Sequence, residues 1–298
     1  MEQEQVEWEK VLWKTQGFED NYIHPRYFLE SLRKNPNFTP YTYYSLLLLT
    51  CAITQHVSAI FIIMGIFLQL REGSLNPRGL LWASIGAFCV GYGCWSFLDS
   101  WNPSVPLHNR KAVMEKHLKA LKSSILVFLS LMSLSPVLRT LTAATSPDSI
   151  WALSAILFSL NMLLADYSAM PTNEHGQARL SSVLSMNAAI SGSVVLASRL
   201  STDMSVFALV LCSVVAFAFF PLLRRLIQAT STIAWVALTL VLGASAVVLA
   251  SYVSDTFMYL SGFALVVITF VAPAILMWAQ KFKNEIRGPW DVAVPIVS

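Results

Sequence analysis

Two charged side chains stand inside long apolar runs of this chain, and they are the first candidates for a functional role. Of the 37 Asp, Glu, Lys and Arg residues, Arg139 and Asp166 alone fall within such runs. A charge in membrane hydrocarbon is costly unless it reaches the polar surface or meets a partner. Each side chain could extend to the polar surface of the membrane, or it could contact lipid or another subunit, and we keep both interpretations. Both lie near the end of their runs, and consecutive spans cross the membrane in opposite directions. The two residues are therefore predicted at opposite faces of the bilayer and are not expected to pair with each other.

Amide and imidazole side chains near the middle of the apolar runs could form hydrogen bonds. We single out Gln55 and His56 in the first run, Asn161 in the fourth and Asn187 in the fifth. Such side chains join neighbouring helices more often than they relay protons, and we favour that interpretation. His56 most needs a test, because a titratable ring at mid-depth in a membrane is costly without a partner.

The motifs of common enzyme classes are missing from the sequence. There is no glycine-rich phosphate loop, no HExxH zinc motif and no GxSxG nucleophile motif. The four cysteines lie in apolar runs without CxxC spacing, so we interpret them as small packing residues: Cys51, Cys89, Cys94 and Cys212. We therefore predict no catalytic residue, no metal and no cofactor on this chain.

The composition indicates a membrane protein. Charged residues make up 12% of the 298 residues, about half of the roughly 25% typical of soluble proteins. Apolar residues make up 55%, and the mean hydropathy is +0.58. These values exclude a soluble enzyme, a disordered tail and a small disulfide-rich module. A net charge of +3 gives no reason to expect nucleic-acid binding.

Eight apolar runs are long enough to cross a bilayer, because a helix needs about 20 apolar residues to span the hydrocarbon. The predicted fold class is therefore all-α, a polytopic transmembrane helical bundle of about eight spans with N-terminal interfacial helices. Only Ser254 and Asp255 separate the last two runs, which makes that boundary the least secure. The runs are Tyr44–Leu70, Gly79–Leu98, Ser123–Leu141, Ser149–Tyr167, Leu180–Ser198, Met204–Leu222, Ser231–Val253 and Thr256–Met277.

The basic residues divide unevenly between the two sides of the predicted membrane. Sixteen of the 20 Lys and Arg residues fall on the side of both termini, three on the opposite side and one within a span. The positive-inside bias then puts both termini in the cytosol. The loops on the far side total 22 residues, too few for a folded domain. A partner or soluble substrate would therefore be met from the cytosol or within the membrane.

Segments outside the spans offer surfaces that could meet lipid or a partner. We divide the chain into a cytosolic arm, an eight-span domain and a cytosolic tail, at residues 1–43, 44–277 and 278–298. Trp8, Trp13 and Phe28 lie on short predicted helices of the arm, which would anchor to the membrane surface or dock another subunit. The loop 99–122 ends in a basic amphipathic helix that suits anionic lipid, although topology alone also favours basic residues there.

Small residues recur every four positions in three of the spans. Such stripes let two helices approach closely. They could face neighbours in the same chain or in a partner, and both interpretations stay open. The stripes are Ala83, Ala87 and Gly91 in span two, Ala188 and Gly192 in span five, and Ala246 and Ala250 in span seven.

Several longer stretches, in order along nearly the whole chain, are more specific than any short motif. They are Trp8–Trp13, Phe18–Tyr22, Phe28–Asn35, Ser135–Thr142, Asp166–Tyr167, Ser185–Ile190, Leu196–Leu200 and Asn284–Asp291. Through these stretches the chain resembles the PIG-C family. That family supplies a subunit of the complex that transfers N-acetylglucosamine from UDP-GlcNAc to phosphatidylinositol in GPI-anchor synthesis. The loop 99–122 matches the family least.

The resemblance implies a place in the endoplasmic reticulum membrane and an assembly with PIG-A, PIG-H, PIG-P, PIG-Q and PIG-Y. In that family the sugar-transfer chemistry belongs to PIG-A, so the resemblance assigns no catalytic residue to this chain. It implies a non-catalytic subunit that scaffolds the complex and helps to position phosphatidylinositol. An integral-membrane enzyme, and a lipid scramblase or small-solute carrier, are the competing classes.

On that basis we hypothesise which residues contact lipid or another subunit. Residues on the predicted cytosolic side would help to hold phosphatidylinositol with its inositol toward the cytosol: Asp166, Tyr167, Arg179 and Asn187. Residues on the predicted luminal side would stabilise helix packing or bind luminal headgroups: Arg139 and Arg199. The arm would support the first group as a docking surface.

Overall fold

The structure is a computed structural model that describes residues 15, 17–19, 22, 33–34, 40–100, 110–142, 144–167, 176–283 and 286–287. For residues 33–34, 98–100, 110–117, 176–179 and 286–287 it describes the backbone without the side chains. The chain divides into two compact units. One is Tyr44–Pro273, and the other combines Met1–Tyr43 with Ala274–Ser298.

Long helices make up most of the described chain. Two π-helical turns in the described residues continue helices rather than ending them: Val215–Phe219 joins Asp203–Val214 to Phe220–Thr230, and Val267–Val271 joins Asp255–Val266 to Ala272–Ala279. The helices are α1 Tyr43–Glu72, α2 Pro77–Ser100, α3 Arg110–Thr140, α4 Pro147–Leu164, α5 Gly176–Ala197, α6 Asp203–Val214, α7 Phe220–Thr230, α8 Thr232–Ser251, α9 Asp255–Val266 and α10 Ala272–Ala279.

Among the described residues, eight helices are long and apolar enough to cross a membrane, which confirms the predicted all-α, eight-span fold. We number these spans in chain order. Spans six and eight each include a π turn. The spans are Tyr43–Glu72, Pro77–Phe97, Leu118–Thr140, Pro147–Leu164, Leu180–Ala197, Asp203–Thr230, Thr232–Ser251 and Asp255–Phe282.

The apolar runs predict a loop of eight residues, 223–230, between spans six and seven, and this prediction is wrong. Span six continues to Thr230, and Ser231 alone separates it from span seven. Hydropathy ends the span early, because two consecutive arginines follow the apolar run. The helix continues nonetheless, since buried Arg224 finds backbone acceptors on other parts of the chain.

Hydroxyl caps begin four of the spans. In each case the side-chain oxygen accepts the backbone N–H three residues later, which satisfies a donor that the helix itself leaves unpaired. Ser254 caps span eight in this way and so sets the boundary that was hardest to predict. The caps are Ser146, Thr202, Ser231 and Ser254.

Span one is the central helix of the Tyr44–Pro273 unit. It is largely buried, whereas spans two and three are mostly exposed. Ile63 and Phe67 of span one share a core with Leu196 of span five and Leu209 of span six, all almost fully buried. In lipid such a core is held by close packing and interhelical hydrogen bonds, because the surrounding tails are as apolar as the side chains.

Two of the small-residue stripes pack within the chain. A Cβ on Gly192 would lie 3.4 Å from side-chain atoms of Leu157 and Phe158, so spans four and five meet closely there. Ala246 and Ala250 of span seven are fully buried. The third stripe differs, since Ala83 and Ala87 of span two are exposed.

The second unit contains a short antiparallel pairing of β1 (Arg33–Lys34) with β2 (Ile286–Arg287). Near it in sequence, the backbone N–H of Tyr41 donates to Oε1 of Gln280 at 3.0 Å. Nε2 of Gln280 donates in return to the carbonyl of Tyr41 at 3.2 Å. The predicted arm helices that carry Trp8, Trp13 and Phe28 lie outside the described residues.

Candidate functional site

Polar and charged side chains gather at one end of the eight-span unit, where spans four and six end. We call this end the basic end. Two arginines of span six meet the segment that follows span four and a column of polar side chains that runs inward. This group is called the Arg224 cluster, and its members are His56, Asn161, Asp166, Tyr167, Ser185, Arg224 and Arg225.

Arg224 is the centre of the cluster. Its side chain is only 3% exposed, and helix α7 directs it inward. Nη1 donates to the carbonyl of Ala52 at 3.2 Å, and Nη2 donates to the carbonyl of Asp166 at 3.1 Å. The guanidinium carbon also lies 5.8 Å from the centre of the Tyr167 ring, within the range of a cation–π contact. One side chain therefore ties span six to span one and to the segment after span four.

Asp166 forms an ion pair with the next arginine. Its Oδ2 lies 2.9 Å from Nη2 of Arg225, and the two side chains are 25% and 26% exposed. The segment after span four is thus held by both arginines, through its backbone and its carboxylate. The expected alternatives for Asp166 were the membrane surface or a contact with lipid or another subunit, and this contact lies within the chain.

A column of polar contacts continues inward from Tyr167. The ring of His56 meets the ring of Tyr167 edge to face, with centres 5.7 Å apart. Nε2 of His56 lies 2.7 Å from Oδ1 of Asn161, whose Nδ2 donates to the carbonyl and hydroxyl of Ser185 at 2.9 Å. His56 therefore has the partner that its depth requires. The prediction of bonds between helices is confirmed for His56 and Asn161.

Gln55 makes a separate link beside this column. Its Nε2 donates to the hydroxyl of Thr239 on span seven at 2.8 Å. The side chain is fully buried between the two spans. The predicted helix-joining role is therefore confirmed for Gln55 as well.

The phenol of Tyr167 serves as a neutral donor. Burial raises its pKa to about 12, so the hydroxyl keeps its proton at physiological pH. That hydroxyl donates to the carbonyl of Met162 at 2.7 Å. This bond satisfies a carbonyl in the last turn of span four, where the helix leaves it without an intrahelical partner.

The π turn of span six packs against the inner part of the cluster. It places the ring of Phe217 in the core, 6.1 Å from the rings of both His56 and Phe158. A π turn shifts the register of the side chains along a helix, and such turns are frequent at functional sites. Span six thereby presents Phe217 to the column and Arg224 to the cluster.

The contacts of the cluster hold segments from different spans together. Most of its polar groups bond to one another or to backbone carbonyls. Within the described ranges, no group of three or more His, Cys, Asp or Glu residues could hold a metal ion. The Nε atoms of Arg224 and Arg225 are buried and have no hydrogen-bond acceptor among those same residues.

The structure brings together only part of the predicted lipid-contact group. Asp166 and Tyr167 share the Arg224 cluster, whereas Asn187 lies on the exposed side of span five. Arg179 belongs to the first turn of α5, and its side chain lies outside the described residues. The four residues therefore do not form one described site.

The two predicted luminal arginines lie at the opposite end, which we call the short-loop end. Nη1 of Arg139 is 3.0 Å from Oδ1 of Asp203, with both side chains close to half exposed. Nη2 of Arg199 donates to the carbonyl of Thr145. Arg139 and Asp166 therefore have different partners, which confirms the prediction that they do not pair.

In the sequence, Arg224 and Arg225 were used only as two of the basic residues that orient the spans in the membrane. A local signal was available, since they follow the apolar run directly and helix-forming residues continue to Thr230. Continuing the helical pattern by one turn would have placed one arginine on the inner face. The acceptors on Ala52 and Asp166 could not have been identified, because they lie 172 and 58 residues away.

The fold and the cluster define an integral membrane protein of eight helical spans joined by a buried polar network. A family model described as GPI2, phosphatidylinositol N-acetylglucosaminyltransferase, matches residues 8–291, and the chain belongs to this family. The resemblance inferred from the sequence is thereby confirmed.

Curated relatives agree along nearly the full length. The chain is 36% identical over 291 residues to the GPI2 subunit of phosphatidylinositol N-acetylglucosaminyltransferase of Schizosaccharomyces pombe, covering 97% of this chain and 86% of the relative. It is 32% identical over 289 residues to the C subunit of the Homo sapiens enzyme, covering 97% and 93%. A putative C subunit of the Dictyostelium discoideum enzyme is 34% identical over 286 residues, covering 96% and 79%. No solved structure matches the chain.

Proposed function

We propose that this chain is a non-catalytic membrane subunit of the complex that transfers N-acetylglucosamine from UDP-GlcNAc to phosphatidylinositol, the first step of GPI-anchor synthesis. The observation that carries the proposal is family membership across residues 8–291, with relatives named as subunits of that transferase. In this role the chain scaffolds the assembly and helps to position the lipid acceptor.

The Arg224 cluster supports a positioning role. Arg224 bonds to two backbone carbonyls, Asp166 pairs with Arg225, and His56 pairs with Asn161. Side chains bonded in this way hold helices in fixed positions. A general acid or base would instead need to lie within hydrogen-bond reach of the substrate. The sugar-transfer chemistry would then belong to a PIG-A subunit of the assembly.

The uneven basic charge supports an orientation for this role. With the positive-inside bias, both termini and the basic end face the cytosol of an endoplasmic reticulum membrane. The Arg224 cluster then lies on the side where a cytosolic transferase domain would meet UDP-GlcNAc. The further partners would be the PIG-H, PIG-P, PIG-Q and PIG-Y subunits, with the arm residues Trp8, Trp13 and Phe28 as a docking surface.

The predicted contact residues acquire different roles under this proposal. Asp166 and Tyr167 act by fixing the start of the connection between spans four and five. Asn187 is exposed on span five and is available to lipid or another subunit, as Arg179 would be from the start of α5. Arg139 and Arg199 contribute to packing or headgroup contacts at the luminal face.

Mass spectrometry of a mild-detergent pull-down tests the assembly. We expect PIG-A and PIG-Q homologues to be recovered, and a lone monomer would count against the proposal. The purified chain alone, given UDP-GlcNAc and phosphatidylinositol, should make no product. Robust turnover would instead identify an integral-membrane enzyme, and lipid or solute flux above that of empty liposomes would favour a scramblase or carrier.

A residue-level test uses the two ends of span four. We expect Asp166→Ala to reduce the transferase activity or the assembly of the complex, because Arg225 loses its carboxylate partner. Asp148→Ala, at the exposed start of the same span, is the matched control and should change neither. If Asp166→Ala and Asp148→Ala have the same activity and assembly, the Asp166–Arg225 ion pair has no role in the proposed function.

A further inference from the structure

Span five carries two polar side chains, Asn187 and Ser191, that are exposed and have no hydrogen-bond partner among the described residues. They are exceptions. Every other described Ser, Thr, Asn or Gln that lies at least six residues inside both ends of its span forms a side-chain hydrogen bond. Even exposed Ser133 of span three donates to the carbonyl of Ser130 in its own helix.

The depth of these two residues makes the missing partner costly. At about 1.5 Å of rise per residue, each lies at least about 9 Å along the helix from the nearer end of the span. Neither short side chain reaches the polar surface of the membrane over that distance. Acyl chains neither donate nor accept hydrogen bonds, so lipid leaves an amide and a hydroxyl at this depth unsatisfied. The partner that they lack is therefore a polar group on another membrane-embedded element.

The exposed positions of span five have the spacing of a contact between two helices. Leu180, Leu184, Asn187 and Ser191 follow one another at intervals of four, three and four residues, and all four are exposed. We call these four residues the outer seam. A stripe of this period stays in line with a second helix wound around the first, whereas lipid tails require no period. The other side of span five packs inside the chain, where Ala189 is fully buried.

We propose that the outer seam binds a transmembrane helix of another subunit, which presents an asparagine or glutamine side chain to Asn187 and Ser191. An amide fits this position because it both donates and accepts, as the amide of Asn187 does. Polar residues at seam positions fix the register of two helices and the choice of partner. That the partner belongs to the transferase, and is not a second copy of this chain, rests on the proposed function.

Photo-crosslinking in the assembled complex identifies the occupant of the seam. The probe is p-benzoylphenylalanine in place of Leu184, and the control carries the same probe in place of Leu240, which is exposed on span seven. We expect the Leu184 probe to crosslink a transmembrane segment of another subunit that contains an amide side chain. The Leu240 probe should not reach that segment. Crosslinks from Leu184 only to lipid, or only to a second copy of this chain, would overturn the proposal.

Removal of the polar groups tests the hydrogen bonds themselves. With the probe at Leu184, we expect Asn187→Leu and Ser191→Ala each to lower the crosslinking yield about threefold, and the two together about tenfold. Asn187→Gln keeps the amide and should retain most of the yield. Ser133→Ala is the matched control, because the hydroxyl of Ser133 bonds within its own helix. An unchanged yield in the double variant would contradict the proposal.

Recovery of the other subunits in a pull-down distinguishes failure of this inference from failure of the proposed function. If transferase subunits are recovered but the Leu184 probe crosslinks none of them, the seam proposal fails and the proposed function stands. If the probe instead crosslinks an amide-bearing membrane helix of a protein outside the transferase, the proposed function fails and the seam remains a helix-binding site.

Discussion

The two ends of the eight-span unit use similar side chains in different settings. At the basic end Arg224 is buried, bonds to two backbone carbonyls and lies over an aromatic ring, beside the Asp166–Arg225 ion pair. At the short-loop end the pair of Arg139 with Asp203 is 43% and 47% exposed. Water screens an exposed ion pair, which therefore contributes little to protein stability. A buried cation destabilises the protein when it loses a hydrogen-bond partner.

Chain connectivity explains why the ends differ. At the short-loop end, turns of a few residues join consecutive spans and already hold the helix ends together. Gly73, for example, adopts a φ of +76° in the turn between spans one and two, a conformation that glycine reaches without strain. At the basic end the connections from span two to three and from four to five are longer, so side chains must tie the helix ends. The ties that matter for function are therefore expected at the basic end.

The largest effect should come from Arg224. We expect Arg224→Met to destabilise the protein by about 3 kcal/mol, because two charge-assisted bonds from a buried arginine to backbone carbonyls are lost. The melting temperature in detergent should then fall by roughly 5–10 °C. Arg78→Met is the control, since Arg78 is exposed at the short-loop end and should not shift the melting temperature. Equal melting temperatures for the two variants would show that the contacts of Arg224 at the basic end do not stabilise the protein more than Arg78 does at the short-loop end.

An intermediate effect should separate the two ion pairs. Double-mutant cycles in the same thermal assay would combine Asp166→Asn with Arg225→Gln, and Arg139→Gln with Asp203→Asn. We expect a coupling of about 1–2 kcal/mol for the first pair and less than about 0.5 kcal/mol for the second, which solvent screens more strongly. A larger coupling at the short-loop end would reverse the comparison.

The smallest effect should be at Asn187, which is best compared with Asn161. Asn161 is buried and bonds to His56 and Ser185, so Asn161→Leu should destabilise the protein by about 1–2 kcal/mol. Asn187 is exposed, and Asn187→Leu should change stability by less than about 0.5 kcal/mol. The melting temperatures of the two variants measure this difference.

The Asn187 variant also tests a role outside the chain. If Asn187 contacts another subunit, Asn187→Leu should recover less of the complex in a pull-down at unchanged stability. A similar loss of stability in the Asn161 and Asn187 variants would show that exposure does not separate their roles.

Particular residues show how far prediction from the sequence reached. Hydropathy located all eight spans, and it failed at residues 223–230, where Arg224 and Arg225 interrupt the apolar pattern of a continuing helix. His56 was correctly expected to need a partner, and Asn161 of span four supplies it. Asp166 was recognised as exceptional, but its ion pair with Arg225 joins segments 59 residues apart. Local patterns contain no information on such a pairing.

By itself the sequence determined the number of spans, because a backbone in hydrocarbon must satisfy its own hydrogen bonds and every long apolar run does so as a helix. It also determined the family, through the longer stretches that resemble that family. Tertiary structure decided which faces of those helices meet. The stripes in spans five and seven pack inside the chain, whereas the equivalent stripe in span two lines a groove. The spacing is the same in all three. Lipid tails solvate every apolar face about equally, so shape and hydrogen bonding between distant helices select the partners.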